Sequence, residues 1–222
     1  MKRITIAIDG PAASGKSTAA RAVAERLGYT HLNSGLLYRA ITWTALRDGW
    51  LSSESDFDEV LAGLDIVLVP TPPTFSVTID GAWLGREMHS AQVAARVSAV
   101  ASRPAVRERI LVLLQAVERA GVVCDGRDIG TVVFPDAALK VFLVASAVER
   151  GRRRVLERNE QPTDENVRME KELLEARDEI DSSRDIAPLV RSADAIQIDT
   201  TVLGPEEVID AIVALVQERI RT

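Results

Sequence analysis

The sequence predicts an α/β fold in which a largely parallel sheet is flanked by helices. Short apolar runs typical of strands alternate with longer amphipathic segments, and this alternation favours crossover helices between parallel strands. Asp, Gly or Ser follows most of these runs, as expected where polar groups collect at the carboxyl ends of parallel strands. The predicted strands are Ile4–Ile8, Thr30–Asn33, Val122–Cys124, Leu139–Val144 and Ala195–Ile198.

The first strand leads directly into the stretch Gly10-Pro-Ala-Ala-Ser-Gly-Lys-Ser-Thr18. This stretch fits G-x-x-x-x-G-K-[S/T], the loop that holds nucleoside triphosphate phosphates, with its lysine on the β- and γ-phosphates and its serine on Mg²⁺. Glycines let the backbone wrap around the phosphates, and the helix-like segment Ala19–Leu27 adds its positive N-terminal end. A chance match in a flexible turn is the alternative, and the flanking strand and helix argue against it. We expect a P-loop NTPase-type sheet whose phosphate-binding set is Gly10, Pro11, Ala12, Ala13, Ser14, Gly15, Lys16, Ser17 and Thr18.

The region from Leu64 to Gly85 has a different pattern, in which β-prone runs follow one another closely. Asp80-Gly81 between two such runs is a strong hairpin signal. We therefore predict a small antiparallel sheet inserted into the α/β core. Helical patterns resume at His89–Ala101 and, after Pro104 at a helix start, continue to Ala120.

Two charged helical segments follow, Ala147–Arg158 and Thr163–Arg184. The break between them predicts the tip of a helical hairpin, with Thr163 capping the second helix. A last amphipathic helix follows Gly204-Pro205. We expect one domain over residues 1–222, with its core at 1–62, 103–146 and 185–222, an insert at about 63–102 and a lid hairpin at about 147–184.

Composition narrows the classes of function. Apolar residues make up 46% of the chain and charged residues 27%, as in ordinary globular proteins. A formal net charge of −6 disfavours a general nucleic-acid binder. The sequence has neither an apolar run long enough to span a bilayer nor the pattern of a secretory signal. We expect a cytoplasmic monomer with no nucleic-acid or membrane partner.

The single cysteine and the two histidines carry no chemical signal of their own. One cysteine excludes an internal disulfide, and Cys124 within an apolar run predicts a packed thiol. His31 and His89 lack ligand-like spacing, so a structural role is expected for both.

Three charged groups beyond the loop point to phosphate chemistry. Asp125-Gly-Arg-Asp-Ile-Gly-Thr131 leaves a predicted strand, where an acidic residue near a phosphate loop organises Mg²⁺; an ion-paired surface turn is the alternative. Arg177, Asp181 and Arg184 have the spacing of one helix face, which a solvated salt-bridge stripe would share. The predicted hairpin also carries Arg150, Arg153, Arg154 and Arg158, and guanidinium groups suit a lid over polyphosphate.

Ser34 and Arg39 form a further group, because Asn33-Ser-Gly35 and Tyr38-Arg39 follow the second strand. This position predicts that the group lies beside the phosphate loop. Arg39 falls in the opening turns of a helix, where the phosphate of an acceptor is expected to dock.

Together these segments resemble the bacterial cytidylate kinase family, whose members phosphorylate CMP and dCMP with ATP. The resemblance runs nearly end to end, through Asp9–Thr18, Ser34–Arg39, Asp125–Asp136 and Arg177–Leu189. It implies that the inserted sheet belongs to an enlarged monophosphate-binding region. It also implies ATP as the phosphoryl donor and Mg²⁺ as the cofactor.

The resemblance implies a role for each candidate residue. Ser98, Arg107 and Asp128 match positions that read the cytosine edge, and Arg39, Arg127 and Arg184 match a clamp on the acceptor phosphate. The implied catalytic residues are Lys16, Arg127, Arg153 and Arg184, with Arg153 and Arg154 on the donor nucleotide or the transferred group. The implied substrate-binding residues are Ser34, Arg39, Ser98, Arg107, Arg127, Asp128, Arg177, Asp181 and Arg184, with Arg177 and Asp181 on the sugar.

One position departs from the family pattern. Many members carry Asp where this chain has Asn33, and an amide supplies no negative charge near Mg²⁺. We therefore assign the metal-organising role to Asp125, together with Ser17.

Other functions remain open at the level of sequence. The nearest is a P-loop kinase for another small acceptor, such as UMP or AMP. A regulatory GTPase usually carries an N-K-x-D element after a late strand, and this sequence has none. A nucleotide-dependent binding protein without transfer activity would differ in showing no turnover with CMP.

Overall fold

The computed structural model describes residues 3–52 and 54–221. Its strands are β1 (Ile6–Asp9), β2 (Thr30–Asn33), β3 (Ile66–Thr71), β4 (Thr74–Ile79), β5 (Ala82–Trp83), β6 (Val122–Gly126), β7 (Leu139–Val144) and β8 (Ile196–Asp199). Its helices are α1 (Lys16–Leu27), α2 (Gly35–Arg47), α3 (Glu54–Gly63), α4 (Ala91–Ala101), α5 (Pro104–Gln115), α6 (Ala147–Glu157), α7 (Asp164–Ser182) and α8 (Pro205–Arg221). Short 3₁₀ turns lie at Trp50–Ser52 and Arg86–His89, and a π-helical turn lies at Ile129–Val133.

The strands form one sheet in the order β3-β4-β2-β6-β1-β7-β8, with β5 paired to β4. β2, β6, β1, β7 and β8 run parallel to their neighbours. The predicted parallel sheet is confirmed, and the ends of its predicted strands differ from the observed ones by at most two residues. Because these strands are parallel, their carboxyl ends meet along one edge, which places the site.

The predicted antiparallel strands are present as β3, β4 and β5. The Asp-Gly turn joins β4 to β5, with φ of 52° at Asp80 and 75° at Gly81, as a tight hairpin of the primed type requires. The structure adds that β4 pairs with β2 in parallel, at His31 and Thr74. The inserted strands therefore extend the main sheet at its edge.

Two apolar clusters cover the two faces of the sheet. Successive residues of a strand point to opposite faces, so Ile6 and Ile8 enter one cluster while Ala7 enters the other. The Ala7 cluster includes side chains of α2 to α5, and the Ile6 cluster includes those of α1 and α8. Cys124 is fully buried in the first cluster, which confirms its packing role.

The helices follow the predicted order, with different ends. α5 begins at Pro104 as expected but ends at Gln115. α7 ends at Ser182, so the prediction that Arg184 shares one helix face with Arg177 and Asp181 is wrong. Ser183 is the C-cap of α7, where its backbone N–H makes the last helical hydrogen bond, to the Glu179 carbonyl. Pro188 further along would also prevent the helix from continuing. No helix in the described ranges is both long and apolar enough to cross a membrane.

α6 and α7 form the predicted helical hairpin. Thr163 and Asn166 make reciprocal hydrogen bonds at the start of α7, a complete capping box. The two helices approach closely at Gly151, where a Cβ atom would lie 2.7 Å from the carbonyl oxygen of Val167. This close packing sets where the arginines of α6 face the rest of the protein.

Candidate active site

The loop between β1 and α1 has the shape that a phosphate cradle needs. Gly10 has φ of 153°, and a Cβ there would lie 2.2 Å from the carbonyl oxygen of Leu143, so only glycine fits. Lys16 opens α1, and its Nζ donates to the carbonyl of Pro11 at 2.9 Å. Burial, with the positive charge of Arg127 second, holds the pKa of Lys16 well below its ordinary value. An anionic ligand in the loop would favour the charged form of this lysine.

A cavity of about 300 Å³ opens beside this loop, at the carboxyl ends of β1, β2 and β6. It brings together most of the predicted site residues. They are Ala12, Ala13, Gly15, Lys16, Ser17, Thr18, Ser34, Arg39, Ser98, Arg107, Asp125, Arg127, Asp128, Arg154, Arg177, Asp181 and Arg184.

Four predicted residues lie outside the cavity wall. Gly10, Pro11 and Ser14 belong to the loop without lining the cavity, and Ser14 is fully buried. Arg153 instead donates to the Thr200 hydroxyl at 3.0 Å and to Glu149 at 3.0 Å. Its guanidinium is 3.6 Å from where a Cβ on Gly15 would lie, so it borders the loop without lining the cavity.

At one end of the cavity, Ser17 and Asp125 lie in contact. The Ser17 hydroxyl donates to Oδ2 of Asp125, while Nε2 of His31 lies 2.6 Å from Oδ1. Ser34 uses its hydroxyl within the protein, donating to the Asp125 carbonyl at 2.9 Å. Asn33 caps the turn after β2 by accepting from the Gly35 N–H at 2.9 Å.

The predicted base-reading residues meet at another part of the cavity. Arg107 and Asp128 form a buried ion pair, and Arg107 also donates to the Ala101 carbonyl at 3.2 Å. The Ser98 hydroxyl is buried and has no hydrogen-bond partner among the described residues. A buried unpartnered hydroxyl is costly, and a ligand with a polar edge would satisfy it.

Arginines surround Asp181 between these two ends. Nε of Arg127 lies 2.9 Å from its carboxylate, with Arg184 at 3.6 Å and Arg177 at 4.0 Å. Burial opposes ionisation, but these three charges together hold the pKa of Asp181 below its ordinary value. Burial and the charge of Arg127 lower the pKa of Arg177 to about 9, so Arg177 stays charged at neutral pH.

The cavity is strongly positive. Of the described residues that line it, seven are lysine or arginine and four are aspartate or glutamate. The chain as a whole has a formal net charge of −6. Positive charge is therefore concentrated where the sequence predicts that polyphosphate binds.

A sequence model of the cytidylate kinase family matches residues 6–218. The chain belongs to the cytidylate kinase family. It is 44% identical over 224 residues to the cytidylate kinase of Limosilactobacillus fermentum, covering 100% of this chain and 99% of that protein. It is 42% identical over 222 residues to the cytidylate kinase of Bacillus velezensis, covering 99% of each. Among solved structures, the chain is weakly similar to shikimate kinase from Acinetobacter baumannii in complex with shikimate. The match covers 97% of this chain and 94% of that one, with 17% identity and a TM-score of 0.43.

Two aspartates that support the candidate site were given no role in the sequence analysis, although Asp9 belongs to a motif that carries the resemblance. Asp9 accepts hydrogen bonds from the backbone N–H groups of Ile129 and Gly130, at 2.9 and 2.7 Å. It thereby fixes the segment that carries Asp128 to the end of β1. Burial raises the pKa of Asp9 to about 6. Its place directly before the loop glycine was the available signal.

The second such aspartate is Asp178, which ties the hairpin to the phosphate loop. It accepts from the Ala12 N–H at 3.1 Å and pairs with Arg150, which also donates to the Ala12 carbonyl at 3.2 Å. Its position next to Arg177 in the sequence was only a weak indication of a role at the site, because neighbouring residues of a helix point to different faces.

The two histidines have different surroundings. His31 is buried against Asp125, in keeping with a structural role. His89 lines the cavity, and burial followed by the charge of Arg39 lowers the pKa of its imidazole. No sequence spacing pointed to this placement.

Proposed function

We propose that this chain transfers the γ-phosphoryl group of ATP to CMP or dCMP, giving ADP and CDP or dCDP. One observation carries the proposal: a single cavity joins the phosphate loop to the Ser98, Arg107 and Asp128 cluster. Membership in the cytidylate kinase family supports the same reaction. The donor phosphates lie at the loop and the acceptor base lies at the cluster. The γ-phosphoryl group therefore passes from ATP to the acceptor nucleotide within this one cavity.

The donor end uses the loop backbone and Lys16. Backbone N–H groups of the loop and the N-terminus of α1 attract the phosphates of ATP. The amine of Lys16 leaves the Pro11 carbonyl for phosphate oxygens, where its charge offsets the charge that develops in the transition state.

Mg²⁺ fits the residues at the loop end of the cavity. The Ser17 hydroxyl and the Asp125 carboxylate are hard oxygen donors of the kind that Mg²⁺ prefers, and they are in contact with each other. When bound there, the ion supplies charge neutralisation on the donor phosphates.

The acceptor phosphate is held by Arg39, Arg127 and Arg184. Nε of Arg184 is buried with no hydrogen-bond partner in the described ranges, which leaves it available to phosphate oxygens. Arg177 and Asp181 hold the sugar. The attacking oxygen of CMP is already anionic, so the reaction needs alignment and charge neutralisation and no general base.

Base selection follows from the direction of hydrogen bonds. The exocyclic amine of cytosine donates, and the carboxylate of Asp128 and the hydroxyl of Ser98 accept. Uracil presents a carbonyl oxygen at the same position, and a site built for one polarity rejects the other strongly.

We assign the α6–α7 hairpin as a lid over the phosphates. Arg154 of α6 lines the cavity, and closure of the hairpin would exclude the water that competes as acceptor. A direct role of Arg153 in transfer stays a prediction. So do the cytoplasmic location, the monomeric state and the absence of nucleic-acid partners.

A coupled assay of ADP release with CMP, dCMP, UMP and AMP tests the proposal. We expect the highest kcat/KM with CMP or dCMP. A strong preference for UMP or AMP would support the alternative of a kinase for another acceptor. No turnover above the basal ATPase rate would contradict phosphoryl transfer altogether.

A further inference from the structure

His31 is a buried polar side chain that the proposed reaction does not use directly. It lies on β2, and its Nε2 is 2.6 Å from Oδ1 of Asp125 on the neighbouring strand β6. The two side chains are 7% and 2% exposed. Stability alone does not explain a buried polar pair of this kind, because well-packed apolar residues in the same place usually give a fold that is at least as stable.

The other oxygen of Asp125 explains the arrangement. Oδ2 accepts from the Ser17 hydroxyl, so His31 and Ser17 hold the two oxygens of one carboxylate from different sides. A carboxylate bonded at both oxygens has a fixed plane and a fixed direction. Partners of this kind orient metal-binding groups and tune their affinity.

The orientation of the Asp125 carboxylate matters more in this chain because residue 33 is an asparagine. Its side-chain oxygen is engaged by the Gly35 N–H, and its amide supplies no negative charge. The charge that Mg²⁺ meets from the protein beside Ser17 therefore comes from Asp125.

His31 reaches Asp125 from outside the nucleotide cavity. Asp125 lines the main cavity, whereas His31 lines a second one of about 230 Å³, between α1, β2 and β4. The imidazole thus acts from behind the carboxylate, without lining the cavity assigned to the substrates.

We propose that His31 is a positioning residue that orients Asp125 for Mg²⁺. The inference rests on the proposed assignment of Mg²⁺ to Ser17 and Asp125. Its chemistry requires a hydrogen-bond donor at the place of Nε2, and a side chain of similar volume without that donor cannot replace it.

The test compares His31→Leu with His31→Gln, whose amide nitrogen can take the place of Nε2. Two quantities are measured: the Mg²⁺ concentration for half-maximal turnover at saturating ATP and CMP, and the affinity for ADP by calorimetry with and without Mg²⁺. We expect His31→Leu to raise the Mg²⁺ requirement by about tenfold and to remove most of the Mg²⁺-dependent gain in ADP affinity. Affinity for ADP without Mg²⁺ and KM for CMP stay unchanged, and His31→Gln restores most of the loss.

Tyr29→Phe is the matched control. It removes another buried side-chain hydrogen bond, from the Ile4 N–H to the Tyr29 hydroxyl, away from the cavity, and it should leave the Mg²⁺ requirement unchanged. An unchanged requirement in folded His31→Leu, or an equal rise in Tyr29→Phe, would overturn the proposal.

If His31→Leu does not fold, His31→Asn replaces it, because its amide falls short of Asp125. Equal Mg²⁺ requirements in the Asn and Gln variants would then overturn the role of His31. Failure of the proposed function gives a different result, since the unmodified protein would show no CMP-dependent turnover. Calorimetry with ADP still reports on His31 in that case.

Discussion

At the scale of single residues, the proposed base-binding end of the cavity already has a fixed arrangement. Arg107 and Asp128 form a buried ion pair. The Ser98 hydroxyl is buried and has no hydrogen-bond partner within the described part of the chain. The residue types at this end follow from the sequence through family resemblance. That they line one cavity does not follow from the sequence, because Ser98, Arg107 and Asp128 lie on three elements that only the fold brings together.

Asp128→Asn should reduce the preference for CMP over UMP. The amide can donate to the uracil carbonyl, and the hydrogen bond from the cytosine amine to a charged acceptor is lost. Such a bond contributes about 1.5–3 kcal/mol, so the ratio of kcat/KM values should fall roughly 10- to 100-fold. Steady-state kinetics with both nucleotides measure this ratio.

Asp136→Asn is the control for that change. Asp136 belongs to the same segment but pairs with Arg119 at the surface, so its loss should leave the preference intact. Full retention of CMP preference by the Asp128 variant would count against the base-reading role.

Asp9 should make stability depend on pH. Burial raises its pKa from 3.8 to about 6, so the folded state binds this proton more tightly than the unfolded state. The resulting stabilisation is complete below about pH 4 and is lost as pH rises through 6, a change of about 3 kcal/mol.

Asp9→Asn removes this titration. Urea unfolding of both proteins between pH 4 and 7 should show the wild type losing stability relative to the variant as pH rises. A difference in the free energy of unfolding that is the same at every pH would contradict the assignment.

At the scale of elements, the α6–α7 hairpin is docked on the phosphate loop by contacts of its own side chains with Ala12. The charge pattern and Thr163 predicted its two helices, and the structure confirms them. The contacts that dock it, through Arg150 and Asp178 to Ala12, could not be predicted, because the side of a charged helix that turns inward depends on its packing partner. The end of α7 was misjudged for a similar reason, since helical spacing alone does not show where a helix stops.

Gly151→Ala should loosen this hairpin. Alanine normally stabilises a helix relative to glycine by about 1 kcal/mol, but here the added Cβ would lie 2.7 Å from the Val167 carbonyl oxygen and 3.2 Å from the Lys171 nitrogen. The helices must separate, at a cost of about 1–3 kcal/mol. We expect a lower melting temperature and a lower kcat, because Arg154 shifts with α6.

Gly63→Ala provides the comparison, because an added Cβ at this helical glycine would have no described atom within 4 Å beyond its chain neighbours and its own helix backbone. It should melt at the same temperature as the wild type or higher. A Gly151 variant that behaves like the Gly63 variant would show that the close approach is unimportant.

At the scale of the whole molecule, the alternation of strands and helices predicted the parallel sheet well, because buried parallel strands leave a plain apolar signal. The pairing of β4 with β2 was beyond prediction, since it rests on one register contact, between His31 and Thr74. That pairing joins the insert to the main sheet. Side chains of the insert, including Ile66, Val77 and Ile79, share a core cluster with Leu37 of α2.

We therefore predict a single cooperative unfolding transition. Calorimetry should give equal calorimetric and van't Hoff enthalpies, and far-ultraviolet circular dichroism and tryptophan fluorescence should report the same midpoint. Trp83 belongs to β5 of the insert, and Trp50 is buried in the same core cluster as Ile66 of the insert. Separate unfolding of the insert would therefore appear as an earlier fluorescence transition and would contradict the prediction.

The positive cavity within an acidic molecule has a consequence for how ligands arrive. At physiological salt, charges separated by more than about 8 Å are largely screened. A small nucleotide at the mouth of the cavity therefore responds to the arginines beside it and hardly to the distant surface carboxylates. A long polyanion would have to lie across that acidic surface as well. We therefore expect this separation of charge to favour small anions over long ones at the cavity.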